Sequence, residues 1–367
     1  MRPSWVEVDL DAIARNAAAI AAEVAPATLC AVVKADAYGH GDVPVAEAAI
    51  RGGATSLAVA LVEEGVRLRD AGIEAPILVL SEPPLEDAAT IVARRLIPTV
   101  YRRDFAEALS AVADGPLPVH IKVNTGMHRV GADPADIPAL VQFVADDPSL
   151  EVEGLWTHFA VAEEDPDFTK HQIAMFQEVV DELAASGIAV PLLHAANTAG
   201  ALDYPDGRFD MVRVGLGLYG LRPAPDTGPA VRLQPAMRVV SAVSMVKRLA
   251  AGERLSYGRR RPLPAETQVA TVPVGYADGV SRRLTDEGHV LIRGQRRPFA
   301  GSVTMDQLVV DMGGDEVAVG EEVIVLGTQG DAAITADDWA QLLGTINYEV
   351  VCHFGPRLPR RYVRGGK

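Results

Sequence analysis

The chain is predicted to fold as a (β/α)8 barrel followed by a mainly antiparallel β-domain. Eight short apolar runs alternate with amphipathic segments over the first two-thirds of the chain, and this rhythm changes near residue 231. The length of 367 residues also exceeds what one compact core usually holds. We therefore place a barrel at residues 1–232 and a β-domain at residues 233–367. An open, doubly wound sheet is the alternative to the barrel.

The predicted barrel strands are short, apolar and rich in β-branched residues. They are LCAVVKA (29–35), SLAVA (56–60), PILVL (76–80), IPTV (97–100), VHIKV (119–123), VEGLWTH (152–158), LLHAA (192–196) and MVRVGLGL (211–218). Amphipathic segments separate most of them, and residues 167–186 carry apolar side chains at near-helical spacing. Gly72 and Gly187 fall where helix C-caps belong.

After residue 231, short strands follow one another without long helices between them. The predicted strands are MRVVSAVSMVKRL (237–249), TQVATVPVG (267–275), HVLIRG (289–294) and EEVIVLG (321–327). Gly, Pro and Asp separate them, which is typical of antiparallel β structure. One helix is expected within residues 334–344, where Thr335 is placed to cap its start.

Composition limits the classes of partner. Hydrophobic residues make up 49% of the chain and charged residues 23%, as in ordinary folded proteins, and the net charge of -15 argues against nucleic acid and anionic membranes. Cys30 and Cys352 form no C-x-x-C or Cys/His cluster, so we expect reduced thiols and no metal site. The N-terminal MRPSWVEVDL has acids where a signal peptide needs an apolar stretch, and no run approaches membrane-spanning length. We expect a cytoplasmic protein.

Lys34 ends the first predicted strand, within AVVKADAYGHG. A desolvated lysine at a strand end has a lowered pKa and readily forms a Schiff base. Taken alone, Lys34 is more simply a surface lysine just past a strand. Tyr38, Gly39 and Gly41 change that balance, because the glycines allow close backbone approach and the phenol is able to donate to a phosphate.

The AVVKADAYGHG segment resembles the cofactor-lysine motif of alanine racemases, a family of pyridoxal-phosphate enzymes with a barrel and a β-domain. Further motifs resemble this family in family order: KVNTGMHRVG (122–131), THFA (157–160), HAANTAG (194–200), RVGLGLYG (213–220), SYG (256–258), VGYADG (274–279), GSVTMDQ (301–307) and NYEV (347–350). The resemblance implies interconversion of L- and D-alanine, supplying D-alanine for cell-wall peptidoglycan.

The resemblance also implies which residues bind pyridoxal phosphate. Lys34 would hold it covalently, and its phosphate would lie against Tyr38, Asn197, Thr198, Gly215, Leu216 and Tyr348. The barrel prediction agrees with this placement, because a phosphate in such a barrel usually lies on the loops after strands seven and eight. Taken alone, RVGLGLYG is only a strand with two glycines.

Arg213 is a cation near the start of a buried strand, where it could pair with an acid such as Asp210. By resemblance it instead donates a hydrogen bond to the pyridine nitrogen of the cofactor. Arginine does not release a proton to pyridine, so the ring stays a weak electron sink, which disfavours transamination. A decarboxylase of related fold is expected to carry an acid at this position.

Racemisation needs two bases, because one base returns a proton only to the face from which it came. The resemblance assigns the D-alanine proton to Lys34 and the L-alanine proton to Tyr257, with His158 contacting this tyrosine and linking it toward Arg213. A tyrosine acts as a base only where its surroundings lower its pKa. As bare sequence, Tyr257 before Gly258 is more simply a turn aromatic.

The remaining implied roles concern the substrate and the assembly. Arg129 and the amide of Met305 would bind the substrate carboxylate, and Tyr276 and Tyr348 would narrow the entrance. Lys122 aligns with a lysine that is often carbamylated in the family; Asn124 stands where many members have Asp, which leaves the carbamate open. Thr304 stands where many members have Cys. The resemblance implies a homodimer whose active sites are shared, with Lys34 from one chain and Tyr257 from the other.

Other functions are compatible with parts of this sequence. A racemase of broader specificity and a related-fold decarboxylase share the cofactor, and Arg213 argues against the decarboxylase. A non-catalytic, cofactor-binding barrel is the alternative from another class, against which the β-domain with Tyr257 argues. Strict preference for alanine over serine does not follow from the sequence.

Overall fold

The computed structural model describes residues 2–365, which form two compact units. The barrel unit consists of Ala12–Ala37 and Asp42–Gln234. The β unit consists of the residues up to Asp11, Tyr38–Gly41 and the residues from Pro235 onward. Within residues 2–365, no helix combines the length and the apolar character that crossing a membrane requires.

The elements up to the end of the barrel alternate strand and helix. In chain order they are β1 (Trp5–Asp9), α1 (Leu10–Val24), β2 (Thr28–Val32), α2 (Lys34–Gly39), α3 (Asp42–Arg51), β3 (Ser56–Val59), α4 (Val62–Asp70), β4 (Ile77–Val79), α5 (Ala88–Ala93), β5 (Ile97–Val100), α6 (Arg103–Ser110), β6 (Leu117–Lys122), α7 (Ile137–Ala145), β7 (Leu150–Trp156), α8 (Pro166–Ala185), β8 (Leu192–His194), α9 (Thr198–Asp203) and β9 (Met211–Val214).

The elements after the barrel are mostly strands. They are β10 (Met237–Ala242), β11 (Met245–Leu249), β12 (Thr267–Val272), β13 (His289–Ile292), β14 (Gln295–Pro298), β15 (Leu308–Asp311), β16 (Glu322–Gln329), β17 (Ala332–Ile334), α10 (Ala336–Leu343), α11 (Asn347–Cys352) and β18 (Arg360–Val363). Thr335 caps α10 as expected, because its side chain accepts a hydrogen bond from the amide of Asp338 at 3.0 Å.

All eight predicted barrel strands are present and form one parallel sheet. Their spatial order is β8-β7-β6-β5-β4-β3-β2-β9. Two backbone hydrogen bonds nearly close the barrel between its outer strands: Asp210 N–H donates to the Leu193 carbonyl and Arg213 N–H to the Ala196 carbonyl, each at 3.0 Å. The barrel prediction is therefore confirmed, and the open doubly wound sheet is excluded.

Most residues of the barrel strands are buried. Every residue of β4, β5 and β9 is buried, as expected for parallel strands that helices cover outside and side chains fill inside. The long helix α8 buries Phe176, Val179 and Leu183, each contributing about 1.5–3 kcal/mol of hydrophobic stabilisation. It ends before Gly187, whose φ of +78° fits the predicted cap.

The β unit is built on two sheets. One has the order β14-β13-β16-β10-β1-β18, with β17 added to β16, and the other has the order β11-β12-β15. Their pairings are antiparallel except between β1 and β18. The mainly antiparallel domain is therefore confirmed.

Two details of the prediction are wrong. The expected boundary placed the N-terminus in the barrel, but β1 lies between β10 and β18 of the β unit because its backbone groups pair with both strands. The single strand expected at 237–249 is two strands in different sheets. The chain passes from one sheet to the other at Val243 and Ser244. The amide of Val243 donates to the Glu321 carbonyl, and the amide of Ser244 donates to the Thr271 carbonyl.

The glycines after Lys34 make close contacts within the β unit. A Cβ on Gly39 would lie 2.6 Å from the carbonyl oxygen of Val351, and a Cβ on Gly41 would lie 2.0 Å from the phenol oxygen of Tyr362. Both glycines also have positive φ, +77° and +98°. The close approach predicted for these glycines is thus to the protein's own chain.

Candidate active site

The predicted site residues of the barrel unit lie at the carboxyl ends of its strands, where barrel enzymes carry their active sites. They follow or end β2, β6, β7, β8 and β9 in turn: Lys34, Lys122, His158, Asn197 with Thr198, and Arg213 with Gly215 and Leu216. The charged members and His158 lie near one another, because Arg213, Arg129 and Lys34 each lower the pKa of both Lys122 and His158.

Lys34 begins a left-handed turn. The φ angles of Ala35, Asp36, Ala37 and Tyr38 are +54°, +53°, +51° and +53°. This conformation costs a residue with a side chain roughly 1–2 kcal/mol, so it persists only where the surroundings hold it. Backbone strain of this kind is concentrated at functional sites. No pattern in the sequence predicts it.

Glu64 holds this turn and was missed in the sequence. One carboxylate oxygen accepts a hydrogen bond from the amide of Ala35, the residue after Lys34, at 2.6 Å. The other accepts from the amides of Ala60 and Leu61 at 2.8 and 3.1 Å. Glu64 is 6% exposed and lies in the first turn of α4. Its only sequence signal is an acid at a helix start, which usually indicates capping alone.

Arg213 lies fully inside the barrel mouth and is held by four hydrogen bonds. Its NH1 donates to Nδ1 of His194 at 2.8 Å, and its NH2 donates to Nδ1 of His158 at 3.1 Å. NH2 also donates to the carbonyls of Thr157 and Ala195, both at 2.8 Å. Within residues 2–365, no hydrogen bond engages its Nε.

The alternative pairing of Arg213 with Asp210 is wrong. The Asp210 carboxylate accepts a hydrogen bond from the amide of Leu193 at 2.8 Å instead. Burial lowers the pKa of Arg213 to about 9, so the guanidinium keeps its proton near neutral pH. Arg213 is thus a fixed cation held by neutral acceptors, two histidine nitrogens and two carbonyls.

Burial and neighbouring cations keep the site histidines neutral. The pKa of His158 is well below its ordinary value because the ring is desolvated and faces Arg213, Lys122, Arg129 and Lys34. The pKa of His194 is lowered in the same way, first by burial and then by Arg213. Burial and the same cations also lower the pKa of Lys122 to about 7. The barrel mouth is therefore a cationic site suited to an anionic ligand.

The indole ring of Trp156 contacts two of these cations, Lys122 and Arg213. The sequence analysis did not identify it as a site residue. The Lys122 amine lies 3.9 Å from its ring centroid, and the Arg213 guanidinium carbon lies 4.4 Å from it. The His194 ring stacks on the same indole, with centroids 5.5 Å apart and planes 9° from parallel. A lone aromatic in VEGLWTH predicts core packing, so its cation–π role needs the structure.

The loops after β8 and β9 offer backbone and hydroxyl donors. Asn197 caps α9 through a bond from the Gly200 amide at 2.9 Å, and the Thr198 hydroxyl accepts from the Gly215 amide at 3.3 Å. Leu216 begins a 3₁₀ turn that ends at Tyr219. The first amides of such a turn have no partner within it, which suits them to an anion.

Lys122, Asn124 and Arg129 line a cavity of about 10 Å³. The side chain of Asn124 is engaged in its own loop: its oxygen accepts from the amides of Gly126 and His128, and its amide nitrogen contacts the His128 ring at 3.0 Å. Arg129 is exposed. Lys122 and Arg129 are thus brought together, while Asn124 acts as a loop-forming residue.

The β unit carries the remaining predicted residues. Tyr38 and Tyr348 are adjacent, with ring centroids 6.1 Å apart, and burial raises the pKa of Tyr38. Tyr276 and Met305 lie on two linked loops, because the amides of Tyr276 and Ala277 donate to the carbonyls of Thr304 and Met305. Gly275 permits this approach, since a Cβ there would lie 2.2 Å from the Thr304 oxygen.

Tyr257 is the most exposed of the predicted site residues, at 74%. It follows Ser256, whose φ of +59° with ψ of -173° is normally restricted to glycine. Two reciprocal bonds hold this turn: the Ser256 hydroxyl donates to the Ser302 carbonyl at 2.7 Å, and the Ser302 hydroxyl donates to the Tyr257 carbonyl at 2.8 Å. The strained turn leaves the Tyr257 side chain exposed on the surface of the β unit.

Comparison with known proteins places this chain in a family. The alanine racemase N-terminal domain model matches residues 8–223, and the alanine racemase C-terminal domain model matches residues 236–362. The chain belongs to the alanine racemase family. It is 43% identical to the alanine racemase of Nostoc sp., over 97% of this chain and 95% of the relative.

Solved alanine racemase structures agree along the whole length. The alanine racemase of E. faecalis superposes with a TM-score of 0.94 at 39% identity, covering 99% of this chain and 98% of that one. The Bacillus anthracis alanine racemase with bound L-Ala-P gives 0.93 at 38% identity, covering 100% and 96%. Membership of the alanine racemase family confirms the predicted class of the enzyme, an amino-acid racemase.

Proposed function

We propose that this alanine racemase-family enzyme interconverts L- and D-alanine with pyridoxal phosphate bound at the mouth of the barrel unit. The observation that carries the proposal is the setting of Arg213. Both of its terminal nitrogens are committed to protein acceptors, while Nε stays available to a ligand. A pyridine nitrogen is an acceptor, and it matches one remaining N–H donor of a cation that keeps its proton.

The other donors fit the rest of this cofactor. Lys34 would form the covalent link to its aldehyde carbon. The phosphate would lie against Asn197, Thr198, Gly215 and Leu216, with the Thr198 hydroxyl and the Leu216 amide as donors. Tyr38 and Tyr348 would donate from their phenols. The surplus of cations among Lys34, Lys122, Arg129 and Arg213 suits a ligand with a phosphate and a substrate with a carboxylate.

Pyridoxal phosphate, when bound, supplies the electron sink that makes the Cα–H of the amino acid acidic. The Lys34 amine, released when the amino group of alanine replaces it on the cofactor, would accept the Cα proton of D-alanine. The Tyr257 phenol would donate a proton to the opposite face, which yields L-alanine. The reverse reaction starts at Tyr257 and ends at Lys34. One turnover therefore moves one proton from Tyr257 to Lys34 in net terms, and the reverse turnover or exchange with water restores both groups.

Substrate binding is assigned to Arg129 and the amide of Met305, which would hold the carboxylate of alanine. That amide donates to no acceptor within residues 2–365, which leaves it available. Tyr276 and Tyr348 would narrow the entrance and favour a small side chain. The relative from Bacillus anthracis was solved with L-Ala-P, an alanine derivative, which supports alanine as the substrate.

We further propose a homodimer in which Tyr257 serves the site that contains Lys34 of the other chain. Its 74% exposure supports this, because a catalytic phenol needs surroundings that exclude water. The D-alanine formed would supply cell-wall peptidoglycan. We also propose a carbamate on Lys122. Its pKa of about 7 supports this, because carbon dioxide reacts with the neutral amine.

The proposal is tested with purified protein, pyridoxal phosphate and L-alanine. We expect a yellow protein that forms D-alanine, detected with a D-amino-acid oxidase. Borohydride reduction followed by peptide mass spectrometry should locate the pyridoxyl group on Lys34. Lys34→Ala should lose colour and activity together, whereas Lys170→Ala, at an exposed lysine of α8, should keep both. A pyridoxyl group trapped on another lysine would contradict the assignment.

A further inference from the structure

A chain of hydrogen bonds leads from Arg213 through two histidines to a carboxylate. Arg213 NH1 lies 2.8 Å from Nδ1 of His194, and Nε2 of His194 lies 2.9 Å from Nδ1 of His120. Nε2 of His120 then lies 3.0 Å from a carboxylate oxygen of Glu153. The two histidines and Arg213 are buried, while the Glu153 side chain is 39% exposed.

The donor and acceptor properties of these four groups allow only one direction of donation along this series of hydrogen bonds. A guanidinium only donates, so Nδ1 of His194 must accept and its proton must reside on Nε2. That proton points to Nδ1 of His120, which must accept in turn and carry its own proton on Nε2. The Glu153 carboxylate accepts a hydrogen bond from this last N–H, because an ionised carboxylate has no proton to donate. Each ring therefore has one permitted neutral tautomer, and the low pKa of His194 agrees with it.

The backbone is shaped to make this chain possible. The pairing of β6 with β7 shifts register between Val119, opposite Val152, and His120, opposite Gly154, so Glu153 is the extra residue of a bulge. Bulges interrupt the in-and-out alternation of a strand and redirect a side chain, often beside active sites. Gly154 makes room for the imidazole, because a Cβ there would lie 2.8 Å from Cγ and Nδ1 of His120.

We propose that Glu153 and His120 are positioning residues for Arg213, which they reach through His194. Glu153 fixes the donor-to-acceptor direction of this series of hydrogen bonds. His194 therefore always presents an acceptor to NH1 of Arg213, and the guanidinium stays in one orientation. Without that carboxylate, His120 would leave a buried N–H without an acceptor unless it moved the proton to Nδ1. His194 would then have to present a donor to Arg213, and the NH1 bond would be lost.

The consequence for the ligand rests on the proposed function. Arg213 offers Nε to the pyridine nitrogen only while its terminal nitrogens stay committed to the protein. Glu153 therefore acts on the cofactor from the other end of the hydrogen-bond chain, without touching it. A glutamine at 153 preserves an acceptor oxygen for His120, whereas an alanine removes it.

The test is a nitrogen-15 NMR experiment on the cofactor-free protein labelled in its histidines. In the wild type, the rings of His120 and His194 should both show protonated Nε2 and unprotonated Nδ1. Glu153→Ala should turn both signals into mixtures of tautomers, whereas Glu153→Gln should keep the wild-type pattern. Glu151→Ala, an exposed acid on the same strand, is the matched control and should change neither ring.

Cofactor affinity is the second measurement, by titration of the cofactor-free protein with pyridoxal phosphate. Glu153→Ala should bind it about tenfold more weakly, a loss of about 1.4 kcal/mol, and Glu153→Gln within about twofold of the wild type. Wild-type tautomers in Glu153→Ala, or equal tautomer changes in Glu153→Ala and Glu153→Gln, would overturn the proposal. If Glu153→Ala alters the tautomers of His120 and His194 but leaves the affinity for pyridoxal phosphate unchanged, the proposal is also overturned. Failure of the wild type to bind the cofactor would instead refute the proposed function, and the tautomer result would stand.

Discussion

The carboxylate of Glu64 accepts a hydrogen bond from the amide of Ala35 at 2.6 Å, immediately after Lys34. Its second oxygen anchors the amides that open α4. One buried acid therefore joins the strained turn that carries Lys34 to a neighbouring helix. The strain of that turn, roughly 1–2 kcal/mol for each left-handed residue, has to be offset by contacts of this kind.

Glu64→Ala should destabilise the fold by about 4.5 kcal/mol, because three amides lose an acceptor and each hydrogen bond to a charged group contributes at least about 1.5 kcal/mol. Racemase activity should fall with it, since the turn no longer fixes Lys34. Urea unfolding and the rate of D-alanine formation measure the two effects. Glu63→Ala removes an exposed acid one residue earlier and should leave both unchanged. Equal effects of the two variants would contradict the role given to Glu64.

Lys122 should make stability depend on pH. Its pKa is lowered to about 7 from an ordinary 10.5 by burial and by Arg213, Arg129 and Lys34. Between these two values the unfolded chain binds a proton that the folded chain lacks, so the free energy of unfolding should rise from pH 7 toward pH 9. Lys122→Met should lose that part of the slope. Urea denaturation of both proteins in carbon dioxide-free buffer measures it, and identical slopes would show that Lys122 keeps an ordinary pKa.

Arg213→Glu should change the partition between reactions. A carboxylate beside the pyridine nitrogen favours its protonation and so strengthens the electron sink, which favours transamination over racemisation. We expect D-alanine formation to fall about a hundredfold, equivalent to about 2.7 kcal/mol, and pyruvate formation from L-alanine to rise. Both products are measured from the same reaction, with circular dichroism as a check on folding.

Arg213→Lys is the control for this variant. It keeps a cation but lacks the planar set of donors, so it should lose activity without a gain in pyruvate. If Arg213→Glu keeps the wild-type ratio of pyruvate to D-alanine, Arg213 does not contact the ring of the cofactor.

Shared active sites predict complementation between inactive chains. Lys34→Ala and Tyr257→Phe should each be inactive alone. In a mixed dimer, one site carries both defects, and the other combines intact Lys34 with intact Tyr257. We therefore expect close to half of the wild-type activity per dimer, in mixed dimers isolated through two different tags. Absence of recovered activity in such dimers would show that the two bases belong to one chain.

Local pattern in the sequence determined much of this protein. Burial of short apolar strands between helices follows from composition and spacing, so all eight barrel strands and the cap at Thr335 were predictable. The family motifs also identified Lys34, Arg213 and Tyr257 as candidates. These features depend on residues near one another in the chain, which is why the sequence alone reveals them.

Only the tertiary structure decided the features that depend on long-range contacts. The strand β1 belongs with β10 and β18 because its backbone groups pair with strands more than two hundred residues away. The left-handed turn after Lys34 and its anchor Glu64 show no local pattern, since their stability comes from hydrogen bonds across elements. The direction of the hydrogen bonds from Arg213 to Glu153 likewise follows from distances between atoms on four different strands, β6, β7, β8 and β9. Hydrogen bonds need geometry within a few tenths of an ångström, which spacing along the chain does not encode.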